Sequence, residues 1–309
     1  MQSLLDRKLI FITGKGGVGK TTMAAAIGML AARSGRRTIV VEVGEQSQLA
    51  NMFGLAPGAP GEERRLEANL SSISIDPDQA LLEWLQALGG RVSGRLLASS
   101  GTFQYFAAAA PGAKELVSMM KISQLTRTPR RRGGGYDLVV VDAPATGHAL
   151  GLLRSPETFG AIARVGPIAG QTDKVRELLG NPASSAYLGV ALATEMAVTE
   201  ALELQDALEQ QLSRPLDAVI VNGLLPRRFT AEELDRIIEL AQRSEKAEKL
   251  TRSAARAAKA VHERSRLQHN QVARLRRRSF EVISVPFSWG PRLDLDAVRG
   301  ISARLARKP

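Results

Sequence analysis

The chain of 309 residues contains no cysteine. That absence excludes disulfides, thiolate zinc sites, soft-metal thiolate cages and a cysteine nucleophile. Aromatic residues make up only 4% of the sequence. None of them interrupts the arginine-rich stretch before Phe280, so base stacking on single-stranded nucleic acid has no support there. Long apolar runs are missing as well: no stretch reaches the ~18 residues of a spanning helix. The first apolar run, Leu9 to Thr13, leads straight into glycines and not to a signal-peptide cleavage site. The expectation is a cytoplasmic protein that meets a membrane only peripherally.

What is present reads as globular, with 44% hydrophobic and 24% charged residues. The net charge of +11 is local. Ala241 to Phe280 contributes +9, Arg127 to Arg132 contributes +4, and the rest of the chain sums to −2. Such a basic stretch suits nucleic acid, an acidic membrane surface or an acidic partner, or is simply a solvated helix face.

Strands are expected at Lys8–Thr13, Thr38–Val43, Ser71–Asp76, Asp137–Val141, Leu216–Val221 and Phe280–Val285, several of them continuously apolar in the manner of a parallel-sheet interior. Helices are expected at about Thr21–Ser34, stopped by Gly35, and from Pro77 to Leu88 with Leu81, Leu82, Leu85 and Leu88 on one face. Alternation of the two predicts a doubly wound, mostly parallel α/β sheet in one domain over residues 1–309. Residues 77–126 and 154–213 read as helical and are expected to form an inserted subdomain. Residues 231–279 read as a basic helical segment whose buried side would hold Leu234, Ile237, Ile238, Leu250, Val261, Leu267 and Leu275.

Between the first strand and its helix stands Gly14-Lys15-Gly16-Gly17-Val18-Gly19-Lys20-Thr21-Thr22. It matches G-x-x-x-x-G-K-S/T in the context that motif needs, a phosphate-binding loop. Glycines let backbone N–H groups turn toward phosphate oxygens, and the following helix adds its positive end. Lys20 would reach the β- and γ-phosphates of ATP or ADP, and Thr21 would ligate Mg²⁺. Asp142, at the end of the DLVVV strand, suits the second Mg²⁺ position.

Lys15, a second lysine early in the loop, makes this a deviant Walker A sequence. With Asp142-Ala143-Pro144-Ala145-Thr146-Gly147-His148, Val219 to Pro226 and Val285-Pro286-Phe287, the chain resembles the arsenite-pump and tail-anchored-protein-targeting (GET) branch of dimeric P-loop ATPases of the SIMIBI type. The resemblance implies that Lys15 reaches across a dimer to the partner's phosphates. It implies also that Asn222, Pro286 and Phe287 flank the adenine. The partner would be a second copy or a paralogous ATPase. His148 matches the branch histidine but reads as structural. Where the branch has a water-positioning aspartate, this chain has Gly44, within Glu42-Val43-Gly44-Glu45-Gln46-Ser47. Glu42 or Glu45 is the candidate replacement, and a slow ATPase is expected. Lacking cysteine, the chain can carry neither the branch's arsenite thiolates nor its zinc clasp.

The stretch with Phe103, Tyr105, Phe106, Leu116, Val117, Met119, Met120 and Ile122 corresponds to where the targeting ATPases hold an apolar client helix, although such a stripe is more often core. Two rival readings stand beside this one. One is a ParA- or MinD-like ATPase that binds DNA or membrane through its basic helices. The other is a nucleotide-binding adaptor subunit of a paralogous heterodimer.

Overall fold

The computed structural model describes residues 1–44, 48–88, 112–127, 135–162, 167–243, 249–290 and 294–307. The chain runs α1 (Gln2–Leu5), β1 (Leu9–Gly14), α2 (Lys20–Arg33), β2 (Thr38–Val43), α3 (Leu49–Met52), β3 (Arg64–Glu67), β4 (Leu70–Ile75) and α4 (Pro77–Leu88). It continues with α5 (Ala113–Arg127), β5 (Leu138–Ala145), α6 (Thr146–Ile162), α7 (Pro167–Gly180), β6 (Ser185–Leu192) and α8 (Glu195–Leu212). The last elements are β7 (Ala218–Leu224), α9 (Ala231–Arg243), α10 (Lys249–Leu275), β8 (Glu281–Pro286) and α11 (Leu295–Leu305).

These strands form one eight-stranded sheet in the order β3-β4-β2-β5-β1-β6-β7-β8. β3 is antiparallel to β4 and every other neighbouring pair is parallel. This is the α/β architecture of a P-loop NTPase, as expected. β1 is buried along its whole length between β5 and β6, which explains its unbroken apolar sequence. Helix α2 is built almost wholly of small and apolar residues because it too lies inside, with ten of its residues buried.

Two sequence expectations are corrected. Residues 154–213 are not wholly helical: β6 crosses them as a central strand next to β1. Its sequence, SAYLGVAL, is poor in β-branched residues, and its burial between two neighbouring strands overrides that weak propensity. Among the helices, α4 packs on α5, α5 on α6 and α7, and α6 on α7 and α8. Along the basic stretch, α9 and α10 form, but Leu250 and Leu267 are 74% and 60% exposed. The buried residues of α10 are Ala255, Ser265, Val272 and Leu275. Leu82 is likewise exposed, while Leu81 is buried.

Leu116, Val117, Met119, Met120 and Ile122 of α5 are all in the core. Those side chains are therefore committed to packing and present no apolar groove. Phe103, Tyr105 and Phe106 lie outside the described residues. No helix among the described residues is long and apolar enough to cross a membrane.

Candidate functional site

The parallel strands bring their C-terminal ends to one edge, where ligands of open α/β sheets bind. Glu42 on β2 is in register with Asp142 on β5, which in turn is opposite Ile12 on β1. The phosphate-loop residues follow at once. Gly14 has φ +152°, and a Cβ there would run into the Val190 carbonyl of β6. Gly14→Ala combines a steric clash with an unfavourable backbone angle, each worth roughly 1–3 kcal/mol. It is expected to lower the Tm by about 5–10 °C in a thermal melt.

Val18 is buried and anchors the loop, whereas Gly16 and Gly17 face open space. Gly19 is the N-cap of α2 and supplies no side-chain cap. The first N–H groups of the helix are thus available to an anion. Lys20 Nζ arches back to donate to the Lys15 carbonyl at 3.1 Å. Desolvation pushes the Lys20 ammonium below its ordinary pKa, and the Asp142 charge partly restores it. Thr22, one residue beyond Thr21, is buried.

Thr21 Oγ1 donates to Asp142 Oδ2 at 2.6 Å. Asp142 is 8% exposed, and its Oδ1 is buried with no hydrogen-bond partner. Desolvation raises its carboxyl to about 6; the Thr21 hydrogen bond and Lys20 oppose the rise, while the Glu42 charge adds to it. A buried carboxylate oxygen left unpaired costs about 1–3 kcal/mol. A hard cation beside Thr21 and Asp142 satisfies it, so the residues present fit Mg²⁺. No group of three or more His, Asp or Glu capable of holding a metal occurs among the described residues. Mg²⁺ needs none, because phosphate oxygens and water complete its shell.

Glu42 is 5% exposed. Its Oε1 accepts the N–H groups of Gln48 at 2.6 Å and Leu49 at 3.0 Å, so the carboxylate caps the start of α3. Glu45 lies outside the described residues. Gly44 has φ +150°, donates its N–H to Ile75 O at 3.0 Å and accepts from Ser74 Oγ at 2.9 Å. Any side chain at position 44 would strain that backbone, a physical reason why an aspartate does not stand there.

Lys15 points to α8. Its Nζ is 2.5 Å from Glu200 Oε1 and 2.8 Å from Met196 Sδ. Asn222, at the end of β7, donates from Nδ2 to Val18 O at 2.9 Å, which seats it against the phosphate loop. Pro286 ends β8; Phe287, 45% exposed, donates its N–H to Leu224 O at 3.0 Å. Phe287 meets Trp289 edge-on at 4.9 Å, and the Arg228 guanidinium lies 5.3 Å from the Trp289 ring centroid. His148 is exposed on α6.

The structure therefore gathers Lys20, Thr21, Asp142 and Glu42 at one edge, with Asn222 tied to the same loop. Sequence reasoning missed the Val190 carbonyl and the two α8 residues that hold Lys15. A signal for α8 was present: Thr194 accepts the Ala197 N–H at 3.4 Å as a helix N-cap.

Comparison with known proteins agrees with the fold. The profile of the anion-transporting ATPase family matches residues 7–165. The chain is 31% identical over 241 residues to the ATPase BagA of Mycobacterium tuberculosis, covering 75% of this chain and 69% of that protein. It is 29% identical to the ATPase GET3 of Lachancea thermotolerans, over 71% of this chain and 72% of that protein. With the ATPase GET3B of Arabidopsis thaliana it shares 28% identity, over 73% of this chain and 66% of that protein.

Proposed function

Since the chain belongs to the anion-transporting ATPase family, we propose that it is a slow, nucleotide-switched ATPase that binds ATP with Mg²⁺ and works as a dimer. One observation carries this reading: the buried, partnerless Asp142 Oδ1 beside a Thr21–Asp142 hydrogen bond, at the mouth of a glycine loop. Thr21 and Asp142 would hold magnesium, which would supply positive charge against the phosphates and offset the charge developing in the transition state. Lys20 leaves the Lys15 carbonyl and pairs with phosphate oxygens. Backbone N–H groups of Gly16 to Thr21 hold the remaining oxygens. Asn222 and the Pro286–Phe287 turn border the base.

Lys15 has a second task in this reading, at the phosphates of the other subunit. Its pair with Glu200 is about one-third exposed on both sides, and pairs so exposed contribute only about 0–1 kcal/mol. Lys15 can thus leave Glu200 at little cost when a dimer closes. The dimer partner is a second copy or a paralogous chain. The absence of cysteine removes any thiolate arsenite site, and we assign none.

The slow rate follows from Gly44 and from the engagement of Glu42. With Glu42 Oε1 holding two backbone N–H groups, Glu45 is the better candidate for orienting the attacking water. Glu45→Gln is expected to lower kcat about 10- to 100-fold with an unchanged Tm. Glu42→Gln is expected instead to lower the Tm, through about 1–3 kcal/mol of lost charge-assisted bonding. Phosphate release and thermal melts of the two variants separate these roles; the reverse pattern makes Glu42 the catalytic carboxylate. Sedimentation of the purified chain with and without ATP tests the dimer. A chain that neither binds nor turns over ATP overturns the whole reading.

A further inference from the structure

A cavity of about 580 Å³ opens between the loop that follows β7 and the flank of α10. Its walls carry Arg227, Arg228 and Phe229 from the loop and Val261, His262 and Arg266 from the helix. None of the phosphate-loop residues lines it. The volume is that of a small-molecule site.

Its chemistry is one-sided. The one acid on its rim, Glu233, is already engaged in a reciprocal cap with Thr230: its carboxylate accepts the Thr230 N–H at 2.9 Å, and its own N–H donates to Thr230 Oγ1 at 3.1 Å. Ser265 is satisfied by the carbonyls of Leu225 and Pro226 at 3.3 and 3.2 Å. His262 donates from Nδ1 to Phe229 O at 3.2 Å, and its Nε2 has no partner among the described residues. Among the described residues, Arg227 and Arg266 have neither an ion pair nor a hydrogen bond. Arg228 is occupied only by the face of Trp289. Three guanidinium groups thus line one concavity whose one lining acid is already engaged with Thr230, against walls formed by Phe229, Val261 and Pro226.

We propose that this cavity is a second binding site, separate from the nucleotide site, for a small phosphate monoester with an apolar body. Arg227 and Arg266 grip the phosphate, each able to make paired N–H···O bonds. His262 gives its Nδ1–H to the Phe229 carbonyl, so its Nε2 accepts the hydroxyl of the phosphate monoanion as a third contact, and the apolar body lies on Phe229 and Val261. Arg228 reorients toward the phosphate and changes its stacking on Trp289, so occupancy is visible in the emission of that ring. The loop residues concerned continue directly from the strand that bears Asn222, so the site adjoins the base side of the nucleotide.

Phenyl phosphate is the probe. Titrated into the full chain, it is expected to change tryptophan emission saturably, and to do the same in Lys20→Ala. Trp289→Phe is expected to lose the optical change while calorimetry still records binding within about twofold. Arg227→Gln and Arg266→Gln, both at exposed positions that fold without them, are each expected to weaken binding at least tenfold, the scale of one lost charged hydrogen bond. The absence of saturable binding overturns the site. So does unchanged affinity in both arginine variants, or loss of binding in Lys20→Ala, which would place the phosphate in the glycine loop. Equal affinity for inorganic phosphate overturns the assignment of an apolar body.

Discussion

Lys20→Ala is expected to lower kcat at least about 1,000-fold and ATP affinity at least about 100-fold, the scale of removing a principal phosphate cation from such a site. The same variant is expected to leave the Tm of the nucleotide-free chain within about 2 °C of the parent. The two halves have one cause. Among the described residues Lys20 makes a single hydrogen bond, to the Lys15 carbonyl, and pays a desolvation penalty that its neighbour Asp142 only partly offsets. Its charge is therefore held in reserve for a ligand and contributes little to the fold. Lys20→Arg is not expected to rescue turnover, because a guanidinium is larger and planar where the loop offers room for a compact ammonium. Phosphate release, nucleotide titration and a thermal melt check the prediction together. A large loss of Tm in Lys20→Ala would mean that the lysine holds the loop and not the phosphates.

Much of this site was legible because it is local. Gly14 to Thr22 is one contiguous segment, and its strand and helix are marked by unbroken apolar sequence on either side. Asp142 was legible because it follows a continuously apolar strand. What escaped was long-range. Lys15 and Glu200 are 185 positions apart, and they meet only because β6 lies next to β1 and sends α8 past the loop. β6 itself was hidden by Ser185, Ala186 and Gly189, which are weak strand formers. At Gly189 the side chain of Val219 on β7 fills the adjacent space, so an added Cβ would stand in contact with it at 3.4 Å. The leucine pattern of α10 failed for a related reason. Periodicity marks an apolar stripe but not what covers it, and the helix leaves Leu250 and Leu267 in solvent.

Asp142→Asn is expected to move stability and activity in opposite directions. Burial raises the Asp142 carboxyl from its ordinary range to about 6. Ionising it in the native state therefore costs about 3 kcal/mol relative to the unfolded chain. The sign follows from the folded value lying above the unfolded one. Between about pH 4 and 6 the native state keeps a proton that the unfolded chain has released. This residue's contribution is thus complete below that window, is lost as the pH rises through about 6, and leaves a constant penalty above it. Asparagine carries no such charge and can still accept the Thr21 hydroxyl. At pH 8, Asp142→Asn is expected to raise the Tm of the nucleotide-free chain by about 5 °C, and the gain is expected to shrink toward pH 4. Turnover is expected to fall at least about 1,000-fold, since the buried oxygen that would meet Mg²⁺ is gone. The added stability that the parent chain draws from Mg²⁺ with ATP should vanish as well, because binding to the native state alone is what produces it. Thermal melts across pH, with and without Mg²⁺ and ATP, read all three effects. A variant less stable than its parent at pH 8 would show that Asp142 Oδ1 is satisfied within the fold, and the case for a cation beside Thr21 would fall with it.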